Sequence, residues 1–318
     1  MSHRPVKFSI VLRLLGSAVL LPGLALAAPF AYVPNEKSGT VSVIDTANDS
    51  VVADIKAGSK PRGLAIARNR LYVSDQPANA LVVIDLASRA PSGTVALGES
   101  PEGVSASAAG DWIVAASEVS NAVSFIDAAT GQKVFSITTE GKNPEHAVFS
   151  PDGKLLLVSA EEADSVDVVD VAQRKQVASI KVGMRPRGIA FRPDGAVAYV
   201  ACELANTVYA IDVPGRKVLK EIKAGNFSNG VTMAPDGKRV YVSNGRDGSV
   251  SVIDTASNAV VATIPVGKRP WNMAITSDGS KLYVANGRSN SVSVIDTASN
   301  TVSKEISVGE MPWGVVIQ

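Results

Sequence analysis

The chain has 318 residues, 46% of them apolar and 19% charged, with 31 Lys and Arg against 30 Asp and Glu. That composition supports a sizeable core and excludes wholesale disorder, and a near-zero net charge without long runs of either sign argues against a nucleic-acid partner. One cysteine, Cys202, excludes an internal disulfide framework and a cysteine-cluster metal centre; with only two histidines, His3 and His146, no metal and no cofactor is expected.

In chain order, the first element is an export signal. His3, Arg4 and Lys7 precede an apolar run over residues 8–21, and Ala25-Leu26-Ala27 places small residues where a signal peptidase reads them. Arg13, Gly16, Pro22 and Gly23 interrupt the stretch, which falls short of the about 20 apolar residues of a membrane span. Cleavage after Ala27 removes three cations and no acid, leaving 28 basic and 30 acidic residues over 28–318. The expectation is one exported, periplasmic domain with no membrane span.

From residue 30 the chain repeats itself. A Val-x-Val-Ile-Asp phrase or a near relative ends at Asp45, Asp85, Asp127, Asp170, Asp212, Asp254 and Asp296, at spacings of 40, 42, 43, 42, 42 and 42 residues. Tyr-Val-Ser/Ala-Asn and Gly-x-x-Pro phrases keep the same beat. In the unit from 271 to 307, period-2 alternation and β-branched content predict strand A at 271–276, B at 281–286, C at 291–296 and D at 301–307. Pro-Asp-Gly or Ser-Asp-Gly turns join A to B, and Asp-Thr-Ala-Ser-Asn joins C to D, where the Asp and the hydroxyls favour Asx and ST turns.

Seven four-stranded units of about 42 residues imply an all-β, seven-bladed β-propeller, since no such sheet buries both faces alone. Strand A alternates large residues (Leu64 and Ile66, Ile189 and Phe191, Met273 and Ile275) with small ones (Ala65, Ala190, Ala274), which lets neighbouring blades interlock. The first strand, at 30–34, is a B strand, and the last residues, 313–318, are an A strand with nothing after it. One blade is therefore expected to be stitched from both ends of the chain, closing the ring and removing open edges.

The segment YVSNGRDGSVSVIDTASNAVVATIPVGKRPWNMAITSDGSKLYVAN resembles the YVTN-type β-propeller repeat, over essentially all of residues 28–318. Seven such repeats behind a signal peptide resemble the propeller proteins associated with pyrroloquinoline-quinone-dependent alcohol catabolism. The resemblance implies a periplasmic setting beside a transport system and quinoprotein dehydrogenases.

D-to-A and B-to-C connections emerge on one face of such a disc, and that face varies from repeat to repeat. The residue after the Pro position reads Arg62, Glu102, Glu145, Arg187, Asn229, Trp271 and Trp313 around the ring, a mouth with an aromatic pair on one side and charges on the other. Such a ring suits a small organic ligand with a carboxylate, while neutralisation of Arg62 by Glu102 and of Arg187 by Glu145 is the purely structural reading. His146 replaces a recurrent Gly and is the best candidate for a general base. Trp112 and Cys202 are expected in the core, and Glu161, Glu162, Asp164 and Glu203 are expected to form a solvated acidic patch or a docking surface for a basic partner. The leading expectation is a non-catalytic binding protein, accessory to quinoprotein-linked oxidation, with a small ligand or a periplasmic partner such as a dehydrogenase, cytochrome or transporter component. The alternative is an enzyme of lactonase or cycloisomerase type, with a His, Arg and Glu site on the variable face.

Overall fold

The structure, a computed structural model, describes residues 1–3 and 29–318, so the expected signal peptide at 1–27 lies outside the described residues beyond its first three. The repeat phrases fold as seven four-stranded antiparallel sheets. We number the blades 1 to 7 along the chain and keep A to D for strands from the axis outward. In blade 7 the strands are Pro270–Ile275, Lys281–Asn286, Ser291–Asp296 and Thr301–Ser307, so B, C and D coincide with their expected ranges and A begins one residue early. Among the described residues no helix is long and apolar enough to cross a membrane.

Burial explains the interior phrases. Strand B is buried along nearly its whole length in every blade because both of its faces meet other blades, whereas strand D faces water and buries little beyond one Ile or Val. The apolar residues form seven clusters, one per blade boundary. As the alternation in strand A requires, Leu64 packs toward blade 1 and Ala65 and Ala67 toward blade 3. The Tyr of the Tyr-Val phrase is at most 1% exposed at 32, 72, 199, 241 and 283, and burying such a ring contributes on the order of 2 kcal/mol. In three blades its hydroxyl reaches the C-to-D turn of the next blade: Tyr72 donates to the Ala128 carbonyl at 3.3 Å, Tyr199 to Asn258 Oδ1 at 2.7 Å, and Tyr283 to Asp49, whereas Tyr32 donates to Gln318 Oε1 of its own blade at 3.4 Å. Cys202 is buried where other blades have Asn, and burial pushes its thiol up to about 12. Trp112 departs from expectation: it is half-buried at the turn face, edge-on to Phe125 and Phe135, because strand B begins at the rim.

The ring closes as the phase of the repeat demands. The last strand pairs with Phe30–Asn35 of blade 1, Ala31 opposite Ile317 and Tyr32 opposite Val316. Its ladder is shorter than the expected 313–318, covering Val316–Ile317 with a separate bridge from Asn35 to Pro312. Pro34 explains the gap: its carbonyl accepts Trp313 N–H at 2.9 Å, but it has no N–H to return.

Candidate functional site

The variable residues reach the channel because strand A carries a bulge at its start. In blade 2, Pro61 faces Asp75 and Leu64 faces Val73, so three steps on A match two on B; the same shift recurs in blades 3 to 7. Bulges re-aim side chains, and here the residue after the Pro position is turned toward the mouth. The Gly that usually follows permits close passage of the next blade: a Cβ at Gly188 would stand 2.6 Å from the Asn229 carbonyl oxygen. A strand-B serine anchors the bulge in three blades, accepting from Gly63 at 2.9 Å (Ser74), His146 at 3.0 Å (Ser159) and Gly230 at 2.8 Å (Ser243).

Charge occupies one arc of the mouth, and the expected neutralising pairs form. Arg62 bonds Glu102 and, at 3.0 Å, Glu36. Arg187 contacts Glu145 at 2.5 Å, Glu203 at 3.1 Å and Glu161 at 3.3 Å; Arg185 bonds Glu161, and Arg269 bonds Glu203 at 2.7 Å. The expected solvated acidic patch is therefore corrected. Glu161 and Glu203 are buried among guanidinium groups, Asp164 accepts the backbone N–H of Arg185 at 3.0 Å, and Glu162 alone of the four is exposed. Buried carboxylates persist only where such partners compensate the lost hydration.

The site also holds two acids not expected from the sequence, Glu36 and Glu118. Glu36, Gln76, Glu118, Glu161 and Glu203 follow strand B in blades 1 to 5, and Gly245 and Gly287 take that place in blades 6 and 7. The signal was available, since these positions keep the repeat spacing one residue after the Tyr-Val phrase ends. Burial would raise Glu145, but the Arg187 guanidinium together with His146 and a Glu118 hydrogen bond outweighs it and holds the carboxyl at about 2. Burial and then Glu145 push Glu118 up to about 7 and Glu102 up to about 9. Carboxylate oxygens of Glu118, Glu145 and Glu161 lie within 4.8 Å of one another, a donor set of the type hard cations take. Arg187 already lies against two of them, and burial beside Glu145 favours a proton on the third, Glu118.

The other arc is nearly uncharged and differs from the expected aromatic pair. Trp313 stacks on His146 across the channel, ring centroids 5.6 Å apart and planes 12° from parallel. Trp271 instead covers Gly287, where a Cβ would stand 2.7 Å from its ring, and Asn229 is buried. His146 is half-buried, and its Nδ1 is buried and unpartnered. Burial, reinforced by Arg187 and opposed by Glu145, lowers the imidazole pKa, so the ring is neutral at neutral pH. The structure thus brings together His146, Glu145, Arg187 and Trp313, and adds Glu118, Glu161, Glu203 and Arg269; the pair of Arg62 and Glu102 adjoins this group through Glu118 and Glu145.

Comparison with known proteins matches residues 138–311 to the family model described as lactonase, 7-bladed β-propeller. The matched span holds His146, Glu145, Arg187, Glu203 and Arg269. Among solved structures, hydrazine synthase of Kuenenia stuttgartiensis is 23% identical over 89% of this chain and 99% of that chain, with a TM-score of 0.77. A functionally unknown protein from Desulfotomaculum acetoxidans is 18% identical over 91% of this chain and 99% of that one, with a TM-score of 0.81. These two share the fold. A comparison with curated proteins finds no match. The family match corrects the expectation of a non-catalytic accessory to quinoprotein-linked oxidation and favours the enzymatic alternative. The repeat phrases that suggested the accessory role build the blades and say little about the channel.

Proposed function

Starting from the chain's membership of the seven-bladed β-propeller lactonase family, we propose that the channel mouth hydrolyses lactones. The observation that carries the reading is a neutral imidazole, His146, held by an aromatic stack beside a guanidinium and a carboxylate. His146 Nε2 takes a proton from water as the water oxygen attacks the lactone carbonyl carbon. Arg187, with Arg269 behind it, favours the negative charge that develops on the carbonyl oxygen. The ring C–O bond then breaks, and His146 returns its proton to the departing alkoxide, giving a hydroxy acid. Glu145 and Glu203 keep the guanidinium groups in place rather than touch the substrate. The Trp313 ring offers an apolar wall. The small-residue site after a basic start supports export to the periplasm, and the YVTN type of the repeat is retained as our reading of the blade phrases.

The test is hydrolysis of a lactone panel followed by proton release. His146→Ala should lower kcat by about 10²–10⁴-fold, the usual share of a general base, with an unchanged melting curve. Hydrolysis should rise with pH through an imidazole pKa below the ordinary 6.5. Absence of turnover across the panel, or equal turnover in the variant, refutes the assignment.

A further inference from the structure

The repeat places a cation and an acid together at two blade boundaries and withholds the acid at a third. Before blade 2, Lys60 and Arg62 meet Glu36 of blade 1, at 3.6 and 3.0 Å. Before blade 5, Arg185 and Arg187 meet Glu161 of blade 4. Before blade 7, Arg269 stands in the position of Lys60 and Arg185, but the matching residue of blade 6 is Gly245. Arg269 lies over that glycine, its Nη1 3.1 Å from where a Cβ would stand, and sends one nitrogen two blades back to Glu203.

A cavity of about 610 Å³ opens where the acid is missing, on the rim between blades 6 and 7. Arg246, Lys268, Arg269 and Arg288 line it, with Phe227 beneath. The Arg246 and Arg269 guanidinium carbons lie 5.7 and 5.3 Å from the Phe227 ring centroid, which holds both cations over one floor. Asp247 is the carboxylate in the lining, and it is engaged by Asn226 through N at 2.7 Å and Nδ2 at 2.9 Å. Among the described residues no carboxylate stands within ion-pair distance of Arg246, Lys268 or Arg288, whereas Arg269 is paired. Three cations without a carboxylate, beside the paired Arg269 and one occupied carboxylate, call for an anion from outside, and guanidinium pairs match the oxygens of a tetrahedral oxyanion.

We infer that this cavity binds a phosphate group, which occupies the place the repeat gives to a glutamate at the other two boundaries. The cavity shares Arg269 with the edge of the channel site, but its recognition of an anion uses no part of the His146 chemistry and stands whether or not the channel hydrolyses lactones. Its source is either inorganic phosphate or the phosphate of an organic monoester, and both supply the same oxygens.

The experiment is calorimetric titration of the full chain with inorganic phosphate and with glycerol phosphate, at constant ionic strength set by chloride. Saturable binding at one site per chain is expected for at least one of the two, and the tighter one identifies the source. Arg288→Ala, at an exposed position, should weaken binding by about tenfold or more, the loss of one charge-assisted contact. Gly245→Glu restores the repeat's own acid where only the flexible end of Arg269 must move, and should abolish binding with an unchanged melting curve. Binding of neither compound, or binding that survives Gly245→Glu, overturns the site.

Discussion

Replacing Arg187 with Met removes the cation shared by three buried carboxylates, and the structure says which one suffers. Glu161 keeps Arg185, and Glu203 keeps Arg269 at 2.7 Å, but Glu145, 3% exposed, loses the guanidinium 2.5 Å away and has no other cation in contact. Arg187, with smaller contributions from His146 and Glu118, holds the Glu145 carboxyl at about 2 against an ordinary 4.5 in spite of burial, a difference of about 3 kcal/mol at pH 7. Leaving one partner of a buried pair unpaired costs about 3–5 kcal/mol, the same scale. In a domain of this size the melting midpoint should fall by roughly 6–12 °C. The sign follows from the depressed pKa: this stability is complete above 4.5 and is lost as pH falls toward about 2. The gap between wild type and Arg187→Met should therefore shrink by more than half by about pH 3. Adding Glu145→Gln, which removes the stranded charge, should recover most of the loss at pH 7. Guanidinium unfolding at both pH values measures all three proteins. A gap independent of pH, or a double variant no more stable than the single one, would refute the reasoning.

Ending the chain at Met311 removes the strand that pairs with Ala31 and Tyr32 and withdraws Val315 from the blade 7 to blade 1 cluster. Size-exclusion and calorimetry should show aggregation or loss of the cooperative transition, and a monomer with an unchanged midpoint contradicts the seam. Glu118 and Glu102 act in the opposite sense to Glu145, because burial raises them to about 7 and about 9 and the folded chain keeps protons that the unfolded chain has lost. Their contribution falls as pH rises from 4.5 through those values, so Glu118→Gln should flatten the midpoint against pH between about 5 and 7. An unchanged slope there rules out the raised carboxyl.

The fold was legible because the same strand boundaries are stated seven times, once per blade, and the phase of the repeat against the chain ends dictated the seam. What the repeat could not state was the seam's length, since Pro34 weakens it through a missing N–H that no other blade lacks at that place. The mouth was half legible. Arg62, Glu102, Glu145 and Arg187 stood out through the Pro before them, and their pairing followed from sign and order. The second ring of Glu36, Gln76 and Glu118 was passed over because it follows a decaying phrase, although it keeps the same beat. The stack of His146 on Trp313 was out of reach, because it joins residues on opposite sides of the ring that no local pattern connects.

The tyrosine hydroxyls give the ring a direction. The face of a blade that presents Tyr72, Tyr199 or Tyr283 is never the face whose turn receives one. In the language of assemblies the seven boundaries are heterologous, head to tail, and such contacts end only when the accumulated rotation closes, here at about 51° per unit. A chain with one repeat too few faces a choice that self-complementary interfaces never pose. It must open every boundary by several degrees to close on itself, or leave a donor face and an acceptor face free and grow by adding copies.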